Sequence, residues 1–245
     1  MSQKQQYTEF WKLLSLTEDY LKFGKKTGEY IPPVFSDSPA AVVNPGSSSP
    51  VPRNHRVKQN TEHPLVPLNT ESACEHCSIA KMGKTPVPAI GTESPRLLVL
   101  CGPPSVDAEQ SHVPLAAEEM DSFLKWISAI DLDLEKDVLL MNFPRCRPPG
   151  NRPPFQDEMK RCATIVQELL ERVKPVLILT LGPIPSAFFT GNPGMKVSAI
   201  RENVAHWNGV PVCVSYSPDQ VLSYDELKRP VWEDLKRVRD LINGA

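Results

Sequence analysis

Four stretches of the chain are nearly unbroken in apolar residues: RLLVLCG (96–102), DVLLMN (137–142), VLILTLG (176–182) and PVCVSY (211–216). A strand with one wet face alternates apolar and polar positions, whereas a strand covered on both faces does not. The four runs therefore predict strands of a parallel sheet. Between them the apolar spacing changes to three and four. Residues 117–130 put Met120, Phe123, Leu124, Ile127 and Ile130 on one helical face, and residues 156–173 do the same with Met159, Cys162, Ile165, Val166, Leu169, Leu170 and Val173. Residues 226–242 close the chain with Leu227, Trp232, Leu235, Val238, Leu241 and Ile242. Alternation of strand and helix predicts a three-layer α/β domain.

Upstream the pattern differs. Tyr7, Phe10, Trp11, Leu14 and Leu21 fall at helical spacing within residues 7–23, and Gly24 is a natural stop. Residues 31–70 then hold eight prolines and five serines around NPGSSSPVP. Such a stretch buries too little apolar area to offset its ordering entropy, so it reads as a linker. The expected organisation is an amphipathic segment over 1–30, a linker over 31–70 and one domain over 71–245. The aromatic stripe on the first segment suits a protein partner, with Tyr7, Phe10, Trp11, Leu14 and Leu21 as the contact face.

Composition narrows the function. In 245 residues the net charge is −2, so the chain does not coat nucleic acid by bulk charge, and any such contact needs a local patch. The amino terminus has no secretory pattern, and no apolar run approaches the length of a membrane span. The expected location is the cytoplasm. Six cysteines in that setting read as metal ligands or core thiols before disulfides.

Ligands of a parallel α/β sheet bind beyond the carboxyl ends of its strands. Those ends carry CGPPSVDAE (101–109), NFPRCRPPGNRPP (142–154), GPIPSAFF (182–189) and SYSPDQVL (215–222), which points to a site at one rim. CEHC (74–77) supplies one cysteine pair, and Cys146 and Cys162, with fifteen residues between them, supply another. Four thiolates close a tetrahedral zinc site or hold a [4Fe–4S] cluster, and cysteine count alone does not choose. A redox dithiol at CEHC is the competing reading, but such a pair normally opens a helix after a strand. His76 reads as exposed rather than ligating, and Cys101 and Cys213 read as core.

The chain from about residue 74 onward resembles the iron–sulfur uracil-DNA glycosylases, the four-cysteine branch of that superfamily. NFPRCRPPGNRPP with its following cysteine carries the resemblance, supported by CEHC, LTLGPIPSAFF (179–189) and RENVAHWNGVPVCVSYSP (201–218). The resemblance implies a three-layer α/β/α fold with a central four-stranded parallel sheet. It implies a [4Fe–4S] cluster on Cys74, Cys77, Cys146 and Cys162, structural and remote from the chemistry, with zinc as the alternative. It also implies DNA as a partner, through a cluster loop carrying Arg145, Arg147 and Arg152, with Lys160 and Arg161 nearby, and through Ser217 and Pro218.

The chain departs from the family pattern at three pocket positions. Gly102 stands where the family has the acid that assists the water or the cationic sugar. Leu115 stands where a phenylalanine stacks on the flipped uracil, and Ser217 where a histidine stabilises the departing uracil anion. Asn142, which in the family reads the uracil edge, is retained, although a strand-end asparagine also serves to satisfy a turn. Asp107 and Glu109 are near enough in sequence for a shifted loop to offer an acid. A lost general acid or base costs roughly 10²–10⁴ in rate, and a lost electrostatic stabiliser about 10²–10³. The expectation is a DNA- or partner-binding module of DNA replication or repair with little or no glycosylase activity. The alternatives are a glycosylase with a rearranged pocket and, more weakly, a zinc-bound adaptor. The loop arginines could instead do no more than bond loop carbonyls around the cluster.

Overall fold

The computed structural model describes residues 63–68 and 74–244, all within one compact unit, Gln59–Ala245. The stripe of Tyr7, Phe10, Trp11, Leu14 and Leu21 lies outside the described residues. Seven strands form one sheet: β1 Leu65–Val66, β2 Ala89–Gly91, β3 Leu97–Cys101, β4 Val138–Asn142, β5 Leu177–Leu181, β6 Ala205–Trp207 and β7 Val210–Ser215. Their order is β1-β2-β4-β3-β5-β7-β6. The four central strands are the four apolar runs, and all of their mutual pairings are parallel. Antiparallel pairs extend both edges.

Successive side chains of a strand point to opposite faces, so each apolar run feeds two cores. Leu97, Val99, Leu140, Leu179 and Cys213 face one layer, where they meet Phe123 and Ile127 of α3 (Ala117–Ser128) and Val231, Leu235 and Val238 of α8 (Lys228–Asn243). Leu98, Leu100, Leu139, Met141, Ile178 and Val212 face the other, against Val166, Leu169 and Leu170 of α4 (Gln156–Val173). Continuous burial of β3, β4 and β5 is the reason the runs carry no alternation. Shorter helices are α1 Ser78–Lys81, α2 Val106–Ser111, α5 Pro183–Phe189, α6 Val197–Ile200 and α7 Pro218–Ser223. Among the described residues, no helix is long and apolar enough to cross a membrane.

The sheet corrects one boundary. Leu65 and Val66 lie inside the stretch expected to be linker, yet they pair with Ile90 and Ala89, and Val66 is buried. Pro64 and Pro67 flank the pair, and proline is tolerated on an edge strand because no partner needs its missing N–H. The Pro64 carbonyl accepts from Gly91 N at 2.9 Å, and the Pro67 carbonyl from Arg172 at 2.8 Å. Gly91 has φ +123°, and a Cβ there would stand 2.1 Å from the Val138 carbonyl oxygen, so only glycine fits this edge.

Register levels the strand ends. Cys101 pairs with both Asn142 and Leu181, and Leu181 pairs with Ser215. The four loops that follow therefore leave from one rung of the sheet.

Candidate functional site

Two places at this rim concentrate chemistry. The first is a pocket lined by Gly102, Leu115, Glu119, Asn142, Ser217 and Asp219, among others. Its volume is about 460 Å³, inside the ~300–1,000 Å³ range of small-molecule sites. All four pocket positions singled out in the sequence meet here.

Asn142 ends β4 with its side chain buried. Its Nδ2 donates to the carbonyls of Gly102 and Pro114, both at 2.8 Å. Two acceptors fix the amide orientation, because the oxygen cannot replace the NH₂ group between two carbonyls. Both protons are thereby used, and the buried Oδ1 has no partner. Asn142 thus ties two loops together and lines the pocket.

Ser217 caps α7. Its backbone N–H and its hydroxyl both reach Gln220 Oε1, at 3.1 and 3.0 Å. Opposite it lies Gly182, with φ +87°, where a Cβ would approach Ser217 Oγ to 3.2 Å. Leu115 is buried in the core that contains Phe123 and presents no aromatic face. Pro218 is buried at the first turn of α7, which corrects its expected role as a DNA contact.

Neither acid proposed from the neighbouring sequence lines the pocket. Glu109 accepts from Lys84 at 2.8 Å and from Arg147 at 2.7 Å, and those bonds, Lys84 foremost, hold its carboxyl below the usual range. The carboxylates that line the pocket are Glu119 and Asp219. Glu119 sits in the first turn of α3, where its Oε2 accepts the Ala116 N–H at 3.1 Å. Ala116 has no side-chain acceptor to reciprocate, so only half of a capping box exists. Burial raises the Glu119 pKa, and the charges of Asp219 and Asp107 add to the rise. The sequence signal for Glu119 was its place three residues into a predicted helix after a rim loop. For Asp219 it was its place two residues past Ser217.

The second place is the cysteine cavity. Cys74, Cys77, Cys146 and Cys162 line it together with Arg145 and Glu158, among others. Cys77 N donates to Cys74 O at 3.0 Å, closing the CEHC turn ahead of α1. Arg145 N donates to Cys162 Sγ at 3.4 Å. Burial pushes the Cys146 thiol up to about 12, and Cys162, Cys74 and Cys77 add to the rise. Burial likewise pushes Cys162 up to about 11. Among the described residues, no group of three or more His, Cys, Asp or Glu side chains is arranged to hold a metal ion. The cysteines surround a space rather than converge on a point. Cys101 and Cys213 lie buried in β3 and β7, away from it.

The loop arginines turn inward. Arg145 is 6% exposed, and its Nε donates to the Val87 carbonyl at 3.2 Å. It therefore faces the cavity rather than a phosphate, which corrects its expected DNA contact. Arg147 reaches Glu109 and the Asn151 side chain, both at 2.7 Å. Arg152 stacks its guanidinium 3.9 Å from the ring centre of the exposed Phe155 and pairs with Glu158. Lys160 and Arg161 lie on α4 beside the cavity, and both are exposed.

Comparison with known proteins points the same way as the fold. Residues 88–236 match the model of the uracil DNA glycosylase superfamily. The chain is 25% identical over 178 residues to the type-4 uracil-DNA glycosylase of Saccharolobus solfataricus, covering 70% of this chain and 82% of that protein. The enzyme of the same name from Archaeoglobus fulgidus is 26% identical over 176 residues, covering 69% and 88%. That of Thermotoga maritima is 30% identical over 110 residues, covering 44% and 57%.

Proposed function

This chain belongs to the uracil DNA glycosylase superfamily, and within it we propose a DNA-binding protein of replication or repair that carries a [4Fe–4S] cluster and excises uracil weakly or not at all. One observation carries the reading. The pocket that gathers Gly102, Leu115, Asn142 and Ser217 presents no carboxylate at 102, no aromatic ring at 115 and no imidazole at 217. Uracil excision needs the base extruded and held while its bond to the sugar breaks. Asn142 remains to hold a base, but its N–H groups are taken by the Gly102 and Pro114 carbonyls. Single-turnover assays on single- and double-stranded DNA containing uracil test this. Turnover matching an ordinary repair glycosylase ends the reading.

The residues proposed to hold the cluster are Cys74, Cys77, Cys146 and Cys162. The donor set suits it, since four thiols line one cavity and a backbone N–H already points at Cys162 sulfur. A zinc ion needs four sulfurs within about 2.3 Å of one point, and a four-iron cube spreads its ligands wider. When bound, the cluster supplies a cross-brace among the CEHC turn, the arginine-proline loop and α4.

DNA is proposed to lie across this rim, with phosphates met by Lys160 and Arg161, while Arg147 and Arg152 shape the loop beside them. Replacing Lys160 and Arg161 together by alanine is then expected to flatten the dependence of log affinity on log salt. On duplex DNA the slope should fall by about 0.9 for each phosphate left without its cation. An unchanged slope removes both residues from the interface.

The second reading, a glycosylase with a rearranged pocket, is favoured by Glu119 and Asp219, which bring carboxylates to the pocket from elements other than the loop that lost its acid.

A further inference from the structure

The pocket is rich in acceptors. Asn142 is 1% exposed and presents a buried Oδ1 with no partner. Glu119 and Asp219 line the same space. Glu119 uses Oε2 on the Ala116 N–H, and the structure gives its Oε1 no hydrogen bond. Among the described residues, no Lys, Arg or His lines the pocket. The Asn142 NH₂ is spent on two carbonyls, and the Ser217 hydroxyl turns to Gln220. Among the described residues, Ser105 is the other hydroxyl lining the pocket, and its oxygen accepts from Ala108 N at 3.2 Å.

Uracil fits this inventory poorly. Its free edge carries one N–H between two carbonyl oxygens. Oδ1 of Asn142 can take that N–H, but the flanking carbonyls need donors and would lie beside carboxylates instead. A base bearing an exocyclic amine shifts the balance: cytosine keeps two acceptors but brings one more proton than uracil, and adenine sets a single ring acceptor beside its amine. Its NH₂ offers two protons, one for Asn142 Oδ1 and one for a carboxylate oxygen. Polar groups left unpaired in a closed site are what reject the wrong ligand.

From this geometry we propose that the pocket takes an amino-bearing nucleobase, of the cytosine, adenine or guanine class, in preference to uracil, with Asn142 Oδ1 and Glu119 as its two acceptors. The inference rests on the reading of this pocket as a base site, and it holds for binding whether or not the glycosidic bond is cut.

The test uses the full cluster-loaded chain and duplexes in which one target base faces an abasic site, so that no Watson–Crick partner has to be lost. The target is uracil, cytosine or adenine, and affinity is read by fluorescence anisotropy. Cytosine and adenine are expected to bind about tenfold tighter than uracil, the scale of a hydrogen bond to a charged group. Bases differ in stacking whatever the pocket does, so the decisive quantity is the change in that ratio in Glu119→Gln. Glutamine keeps an oxygen for Ala116 N–H and adds an NH₂ toward the pocket, so the helix start survives while the preference moves toward uracil. Uracil binding as tightly as cytosine in the wild type overturns the proposal. So does a preference that Glu119→Gln leaves unchanged. Free cytosine, adenine and uracil, followed by ligand-observed NMR against the same proteins, separate the two levels of inference. Preference for the free amino bases without affinity for any duplex sinks DNA binding and keeps the pocket assignment. Duplex binding that ignores the target base, with no free base bound, does the reverse.

Discussion

Glu158 holds Arg152 with both carboxylate oxygens, at 2.6 Å to Nη2 and 2.8 Å to Nη1. The same carboxylate accepts from Ser78 Oγ at 2.6 Å and from Phe155 N at 2.7 Å. Ser78 follows Cys77, Arg152 lies in the loop after Cys146, and Glu158 stands one helical turn before Cys162. One buried carboxylate therefore ties together all three segments that carry the four cysteines. The pairing is geometrically strong, because both guanidinium nitrogens meet both oxygens. Arg152, followed by Ser78 and the Phe155 N–H, pulls the Glu158 pKa down to about 2.

Arg152→Ala is expected to lower the melting temperature and hasten loss of the proposed cluster, since it leaves a buried carboxylate without its charge partner. Glu158→Ala should do likewise, and the double variant should be little worse than the worse single, as expected of one unit. Thermal melts read alongside iron content check this. Strictly additive losses would show that the two residues act separately.

Cys146→Ala and Cys162→Ala are each expected to lose the proposed cluster and most of the soluble folded protein, because metal binding and folding are coupled at such sites. Anaerobically purified wild type should be brown with about four irons per chain. Zinc in place of iron, or a folded cluster-free Cys146→Ala protein, would count against the assignment.

Restoring Gly102→Glu, Leu115→Phe and Ser217→His together is expected to raise uracil excision more than any single change. A positioned acid or base is worth about 10²–10⁴ in rate, and these groups act jointly rather than additively. A Cβ at Gly102 meets nothing within 4 Å, and φ there is not in the left-handed region, so the backbone accepts a side chain. Single-turnover excision is the measurement, and no gain in the triple variant would mean that the loops no longer hold those positions in catalytic register.

Asp234 is buried beneath β7, where it accepts from Arg201 Nε at 3.0 Å and Ser215 Oγ at 2.7 Å. Burial raises its pKa, against the pull of Arg201 and Ser215. A carboxyl raised in the folded state contributes most when protonated, and its contribution falls as pH rises from its ordinary value of 3.8 through its folded value. The stability advantage of wild type over Asp234→Asn should therefore shrink as pH rises across that window, as read by denaturant melts. Arg201→Leu, which strands the buried charge, is expected to cost about 3 kcal/mol.

The sequence made the sheet centre legible because Leu97–Cys101, Val138–Asn142 and Leu177–Leu181 are buried on both faces and need no polar position. The edge strands escaped because two or three residues make no run. Leu65–Val66 was further disguised by Pro64 and Pro67, which signal a linker unless the edge partner is known. At the pocket, the rim loops were visible from their glycines and prolines. Glu119 was not, because its role depends on how α3 is aimed, and a glutamate in a first helical turn is ordinary. The arginines show the converse. Arg145, Arg147 and Arg152 are conspicuous in sequence, yet Arg145 turns its Nε to the Val87 carbonyl while Arg147 and Arg152 pair with Glu109 and Glu158, and two of these three partners lie far away along the chain.

Gly182 gives the pocket a dependence on mutational order. Its missing Cβ leaves the gap beside Ser217 Oγ, and its φ of +87° is hard for any other residue to adopt. While residue 182 stays glycine, a larger side chain at 217 has a neighbour that makes room for it. Were Gly182→Ala to be fixed first, that side chain would meet a methyl group, and the backbone would already have shifted to relieve the alanine. A histidine at 217 would then need two or more changes at once. An imidazole can enter at 217 by replacing one residue only as long as a position on the neighbouring strand end keeps no side chain at all.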